Sequence, residues 1–175
     1  MTGRTAETAE ADTGTAAGTH WLDEGQQQTW RAYIMGTQLL LDRLDRDLRA
    51  EFGISMTEYE ILVRLSESPG RRMRMALLAD ALCHSRSRVT HTVARMEKAD
   101  LLNRSAAMDD GRGVEAVMTD EGFALLETAA HIHVEGVRRN LVDIADPADY
   151  AALGRVMNRV SDRLLAGMPA AADIR

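Results

Sequence analysis

The sequence predicts a mainly helical protein with one small two-stranded β-sheet. Aromatic residues make up only 4% of the 175 residues, whereas sheet-rich folds rely on aromatic and β-branched side chains. Most of the longer segments repeat apolar residues at spacings of three and four, as a helix with one buried face does. A short segment, residues 114–118, instead alternates apolar and other side chains like a half-exposed strand. The length suits one domain, or one domain with an extension.

The first helix is expected to begin at Gln26 and to end near Gly53. Residues 1–20 are mostly Thr, Ala, Gly and Glu, and we assign residues 1–24 to a disordered N-terminal extension. The helix has a heptad-like apolar stripe. Its members are Trp30, Ile34, Thr37, Leu41, Leu44 and Leu48. Within this segment Trp30 and Tyr33 are candidates for lining a ligand cavity, although aromatic residues at helical spacing more often belong to a dimer core.

Two further helices follow before residue 83. Thr57 and Glu60 have the spacing of a capping box, which predicts a second helix with Thr57 as its N-cap. Pro69-Gly70 is expected to end that helix. A short third helix is predicted at about residues 76–82, and the turn after it contains Cys83 and leads to Ser85, a good N-cap.

The helix that begins at Ser85 has the most informative pattern in the chain. Val89, Val93 and Met96 line one face, and the opposite face is polar, contains arginines and has little acid. Such a face can enter a DNA major groove and offer donors to base edges and phosphates. The candidate DNA-binding residues of this helix are Ser85, Arg86, Ser87, Arg88, Thr90, His91 and Arg95.

The segment after this helix predicts a hairpin and then two long helices. Short strands are expected at residues 101–104 and 114–118, joined by a Gly-containing turn at residues 108–113. Thr119 is the expected N-cap of the next helix, and Pro147 is expected to start the last one. The apolar stripes of the first and last helices are too long for a small core to cover, which favours pairing with a second copy of the chain.

The distribution of charge also favours DNA. The chain as a whole has a net charge of −6, but residues 71–104 contain eight basic and three acidic residues, a local excess of five positive charges. A basic patch on an acidic body is typical of a DNA-binding module.

The ordered combination of these segments resembles the MarR (multiple-antibiotic-resistance regulator) family of bacterial transcription factors, over roughly residues 26–165. The resemblance is carried by residues 74–79, by residues 87–98, by Leu101-Leu102-Asn103-Arg104, and by residues 110–122, which read DGRGVEAVMTDEG. In the family an aspartate precedes the arginine of the hairpin by two residues, and Asp110 and Arg112 fit that pattern. The family usually has a glycine after the basic helix. This chain departs from that pattern with Asp100, on which a left-handed cap costs more than on glycine.

The resemblance implies a winged helix-turn-helix domain at residues 56–119 and a helical dimerisation region at residues 25–55 and 120–168. It implies a homodimer on a palindromic operator in double-stranded DNA, with the basic helix in the major groove and Arg112 of the hairpin, or wing, in the minor groove, oriented by Asp110. It further implies a repressor that an unidentified small-molecule effector releases from DNA.

Alternatives remain open at this stage. A metal- or redox-responsive regulator of the same fold would use the histidines His84, His91, His131 and His133 or the single cysteine, Cys83, which we expect to be packed. A winged-helix module that binds protein is a weaker alternative, because the basic helix is rich in arginine. We expect no catalytic residues, metal or cofactor, since no catalytic constellation is apparent. One cysteine, no membrane-length apolar run and no signal-peptide pattern favour the cytoplasm.

Overall fold

A computed structural model of the protein describes residues 18–107 and 113–166. The helices are α1, Glu24–Phe52; α2, Met56–Ser66; α3, Met75–Ala81; α4, Arg86–Lys98; α5, Asp120–Val137; and α6, Pro147–Leu165. The strands are β1, Arg72–Arg74; β2, Leu102–Ala106; and β3, Val114–Met118. A 3-10 turn, Pro69–Arg71, precedes β1, and a π-helical turn, Arg138–Val142, follows α5. The predicted fold class, mainly helical with a small β-sheet, is confirmed.

By its internal contacts the chain divides into two units, residues 1–35 and residues 36–175. In the described part of the first unit, α1 begins and Trp21 and Trp30 are exposed. The second unit contains the hydrophobic core, to which each of the helices α1 to α5 and the strands β2 and β3 contribute buried residues. The largest fully buried side chains are Leu48, Ile61, Leu62, Leu65, Leu78, Val89, Val93, Met96 and Leu102.

The sheet has three strands, and the sequence predicted two. β2 and β3 form the expected antiparallel hairpin, with Leu102 opposite Met118 and Ala106 opposite Val114. β1 adds to the other edge of β3, with Met73 opposite Ala116, so the strand order is β1-β3-β2. The sequence Arg-Met-Arg is too short for its alternation to predict a strand, and only its pairing with β3 makes it one.

The N-terminus of α2 corrects the predicted cap. The helix begins two residues earlier than expected, with Ser55 as N-cap and Glu58 as its capping-box partner. The spacing Ser/Thr-x-x-Glu occurs twice here, at residues 55–58 and 57–60. The earlier one prevails because an acid on α1, Asp45, accepts the otherwise unpaired backbone N–H of Met56 at 2.8 Å.

Among the described residues, two non-glycine residues adopt the left-handed conformation at the ends of α-helices, and a third, Arg71, does so at the end of the 3-10 turn. Asp100 has φ +57° after α4, so the aspartate takes the left-handed position that the family usually gives to glycine, and Leu101 N donates to the carbonyl of Met96 as in a Schellman motif. Cys83 has φ +52° after α3, where His84 N donates to the carbonyl of Ala79. These two turns set the directions in which the chain enters and leaves α4. No helix among the described residues is long and apolar enough to span a membrane.

Candidate nucleic-acid interface

Helix α4 separates its two faces as the sequence predicted. Val89, Val93 and Met96 are fully buried, and the Ser85 hydroxyl caps the helix by accepting the Arg88 backbone N–H at 3.3 Å. The predicted DNA-binding residues of the N-terminal two turns are all exposed. They are Ser85, Arg86, Ser87, Arg88, Thr90 and His91. The helix therefore presents a continuous polar surface that contains two arginines.

Thr92 does not belong to that surface. A helix whose inward residues are Val89, Val93 and Met96 would be expected to carry Thr92 on its polar side, but Thr92 is only 6% exposed, and its hydroxyl donates to the carbonyl of Arg88 at 3.0 Å. With 3.6 residues per turn, position 92 lies about 60° around the helix from position 89 and about 40° from position 96, at the edge of the buried face. A threonine satisfies its hydroxyl within its own helix there and packs its methyl group inward.

Arg95 has a partner that its sequence position did not reveal. Its Nε donates to Oε1 of Glu58 on α2 at 2.8 Å. The Glu58 side chain is 8% exposed, and that of Arg95 is 63% exposed. Burial would raise the pKa of Glu58, but hydrogen bonds from Arg95 and Ser55 outweigh burial and lower that pKa below its ordinary value. Arg95 thus forms an ion pair with a carboxylate of the same chain.

Other arginines of the basic segment are also paired within the chain. Arg104 contacts Glu97 at 2.6 Å, and Arg72 contacts Glu115 at 3.6 Å. Arg71 lies 3.6 Å above the ring of Phe123 and 3.3 Å from an oxygen of Asp120. Counting charges along the sequence therefore overstates the positive charge of this surface.

Three cations of the segment keep their charge available. Arg86, Arg88 and Lys98 have no carboxylate within ion-pair distance in the part of the chain that the structure describes. Arg88 lies 3.4 Å from the Thr57 hydroxyl, a neutral partner. These three cations all lie on α4.

A notch of about 260 Å³ lies where the wing meets α4. Arg74 and Arg86 both line it, together with Thr90 and Gly113. A Cβ on Gly113 would come within 3.1 Å of Nη1 of Arg74, so the absence of a side chain there leaves room for that guanidinium. The predicted wing residues Asp110 and Arg112 lie outside the described residues.

A second cleft, of about 370 Å³, lies between α2, the α3–α4 turn and α5. Its lining combines apolar side chains with Tyr59, Glu60, Cys83 and His133. The expectation that Cys83 is packed is wrong: it is exposed, because the left-handed turn directs it away from the core. His133 is half-buried against Tyr59, and burial lowers the pKa of its imidazole. No group of three metal-binding side chains occurs among residues 18–107 and 113–166.

The candidate ligand residues Trp30 and Tyr33 lie in the first unit. Their ring centroids are 6.0 Å apart and their ring planes are tilted by 32°. Trp30 is exposed and Tyr33 is half-buried. Their assignment to a ligand cavity stays a prediction.

Helices α2, α3 and α4 are followed by the β2–β3 hairpin, and β1, which precedes α3, completes the sheet. This arrangement defines a winged helix-turn-helix protein, and its basic helix α4 is exposed. Comparison with known proteins gives the family. A profile of the MarR family matches residues 54–114. The transcriptional regulator PecS of Dickeya dadantii is 31% identical over 131 residues, which are 70% of this chain and 79% of PecS. The chain belongs to the MarR family of transcriptional regulators.

Solved structures of this family are similar over most of the chain. AbsC of Streptomyces coelicolor is 40% identical, with a TM-score of 0.79 over 85% of this chain and 99% of AbsC. Sco3205 of the same organism, solved in complex with DNA, is 39% identical, with a TM-score of 0.81 over 90% of this chain and 97% of that chain.

Proposed function

We propose that the protein is a homodimeric repressor that binds a palindromic operator through α4 and the wing. The observation that carries this proposal is the exposed polar face of α4, where Arg86 and Arg88 have no carboxylate within ion-pair distance among the described residues. Arginine reads guanine bidentately or neutralises phosphate, and Ser, Thr and His supply further donors to bases and backbone. The DNA complex of the similar regulator Sco3205 supports the same activity here. The cytoplasm is the location expected of a bacterial regulator that binds DNA.

The wing completes the proposed interface. We assign Arg112 to the minor groove beside the major-groove site of α4, with Asp110 orienting its guanidinium, on the basis of sequence alone. The described base of the wing supports this assignment, because β2 and β3 form a regular hairpin and the notch at its base contains Arg74 and Arg86. Two guanidinium groups beside one notch favour a backbone phosphate between the two grooves.

The homodimer is supported by the surface of α6. This 19-residue helix buries none of its own residues, although it carries large apolar side chains. The exposed ones are Tyr150, Leu153, Val156, Val160 and Leu164. Spacings of three and four place most of them on one face, which a second copy of the chain would cover. We therefore keep residues 25–55 and 120–168 as the dimerisation region and residues 56–119 as the DNA-binding domain.

We place the effector in the cleft between α2, the α3–α4 turn and α5. Its walls belong both to the DNA-binding domain, through Tyr59 and Cys83, and to the dimerisation region, through His133. A small molecule bound there would contact the turn that directs α4, so that binding favours one spacing of the two recognition helices over another. Trp30 and Tyr33 remain a second candidate for effector contact.

The experiment that tests the proposal is fluorescence anisotropy on DNA from upstream of the protein's own gene, against a scrambled duplex, at several salt concentrations. We expect tight binding that prefers the upstream DNA, with log K falling steeply against log salt. Arg86→Ala and Arg112→Ala should weaken binding, and each lost phosphate contact should reduce the salt slope by about 0.9. Arg138→Ala, which removes an arginine paired with Asp143 at 2.6 Å, is the matched control.

Equal affinity of the wild-type protein for both duplexes, with no effect of either arginine substitution, would refute sequence-specific binding. The winged helix would then be a fold used for another partner. Sedimentation equilibrium of the free protein tests the dimer independently of DNA.

A further inference from the structure

Both oxygens of the Glu58 carboxylate are used to join separate elements. Oε2 accepts the backbone N–H and the hydroxyl of Ser55, each at 2.7 Å, and so completes the cap of α2. Oε1 accepts Nε of Arg95 on α4 at 2.8 Å. One nearly buried side chain therefore fixes the start of α2 and also holds the third turn of α4.

The same helix start is tied to α1. Oδ1 of Asp45 accepts the backbone N–H of Met56 at 2.8 Å, and its Oδ2 accepts Nε of Arg49 at 2.6 Å. Burial would raise the pKa of Asp45, but the bonds from Arg49 and Met56 outweigh burial and lower that pKa. Short charge-assisted bonds at both ends give a continuous path from α1, through the first turn of α2, to α4.

This path changes the role expected of Arg95. An arginine that contacts DNA needs a guanidinium group that can turn toward bases or phosphates. The Nε of Arg95 is committed to a carboxylate, and moving it would leave that carboxylate buried without its charge partner. The ion pair lies two turns beyond the exposed cations at the N-terminus of α4, where it can control the helix without touching DNA.

We propose that Glu58 is a positioning residue for DNA recognition, and that Arg95 acts through Glu58 instead of contacting DNA. The pair fixes the rotation and depth of α4 relative to α1, which we assign to the dimerisation region. It thereby sets how the two recognition helices of a dimer match two half-sites. This inference rests on the proposed function.

A double-mutant cycle with salt titrations tests the proposal. Glu58→Gln and Arg95→Gln should each reduce operator affinity about tenfold, as expected for coupling energies within one network, and should leave the salt slope unchanged. The double variant should bind no more weakly than either single variant. Arg86→Gln is the control for a direct contact: it should reduce the salt slope by about 0.9, and its effect should add to that of Glu58→Gln.

Arg95→Lys further separates positioning through Glu58 from direct contact with DNA, and it perturbs the fold less than Arg95→Gln does. A lysine keeps the charge for a phosphate but lacks the Nε–H that donates to Glu58. The positioning role predicts an affinity between wild type and Arg95→Gln, with an unchanged slope. Circular dichroism at the assay temperature checks that each variant is folded.

The proposal is overturned if Arg95→Gln reduces the salt slope as Arg86→Gln does and its effect adds to that of Glu58→Gln, because Arg95 then contacts DNA directly. Wild-type affinity in both Gln variants also overturns it. Failure of the proposed function has a different signature, since the wild-type protein itself would then not distinguish operator from scrambled DNA.

Discussion

The imidazole of His133 on α5 stacks against the phenol ring of Tyr59 on α2, with ring centroids 4.6 Å apart and ring planes tilted by 32°. Nδ1 of His133 is buried without a hydrogen-bond partner among the described residues. Burial lowers the pKa of this imidazole, and burial raises the pKa of the Tyr59 phenol. The contact between α2 and α5 is therefore built around a neutral histidine.

Acid is expected to destabilise the fold through this histidine. Because its pKa is lower in the folded state than the value of about 6.5 in the unfolded state, the unfolded chain binds more protons as the pH falls below about 6.5. Stability is thus fully present above that pH and is lost as the pH falls toward the folded-state pKa. Urea unfolding at about pH 7.5 and 5.5 should show a smaller difference in His133→Phe than in wild type.

Other titratable groups near His133 also affect the pH dependence of stability. Glu60 and Glu67 from α2 line the same cleft, as does Arg64. Burial raises the pKa of Glu60, so its protonation opposes the loss of stability in acid. His131→Phe, at an exposed position two residues away, is the control and should keep the wild-type pH dependence. An unchanged pH dependence in His133→Phe would show that another group dominates.

Removing the hydroxyl of Ser55 should destabilise the protein more than removing that of Thr57, because only Ser55 caps α2. Ser55→Ala removes the hydroxyl that accepts the Glu58 backbone N–H at 3.3 Å and should reduce the free energy of unfolding by about 1–2 kcal/mol. Thr57→Ala lies inside the helix and should change it by less than about 0.5 kcal/mol. Urea denaturation of the two variants measures both values. A larger loss of stability for Thr57→Ala than for Ser55→Ala would show that Thr57 is the N-cap, as the sequence predicted.

Replacing glycine by alanine should change the free energy of unfolding in opposite directions at two positions of α1, within the helix and at its C-terminal end. Gly53 has φ +70° at the end of α1, and alanine there should reduce the free energy of unfolding by about 1 kcal/mol. Gly36 is exposed within α1, and nothing lies within 4 Å of where its Cβ would be. Alanine at position 36 should therefore raise stability by about 0.5–1 kcal/mol. Thermal unfolding of both variants tests the backbone conformations independently of packing.

A charge on the apolar face of α6 should dissociate the proposed dimer. Val160 is 41% exposed in the single chain, and glutamate can be accommodated at that position only if nothing covers it. In a dimer Val160→Glu would bury a carboxylate, so we expect a large shift toward monomer in sedimentation equilibrium. Arg155→Glu on α6 provides a control at an exposed polar position. A Val160→Glu protein that sediments like wild type would place the interface elsewhere.

The sequence by itself determined the local structure and the family. Helical periodicity identified the six helices α1 to α6, although the capping pattern placed the start of α2 two residues too late, and the three buried residues of α4 followed from spacings of four and three. Glycine and aspartate signals located the hairpin between β2 and β3. These features depend on residues close together in the chain, where backbone preferences and side-chain spacing decide the outcome.

Only the tertiary structure decided which polar residues remain available for DNA. Arg95 pairs with Glu58, 37 residues earlier, and β1 becomes a strand only by pairing with β3. The exposure of Cys83 and the cleft beside His133 likewise depend on how α2, α5 and the α3–α4 turn meet. A charged or polar side chain has the same local pattern whether it faces solvent, DNA or another side chain. Its role is therefore set by partners that the fold brings together across the sequence.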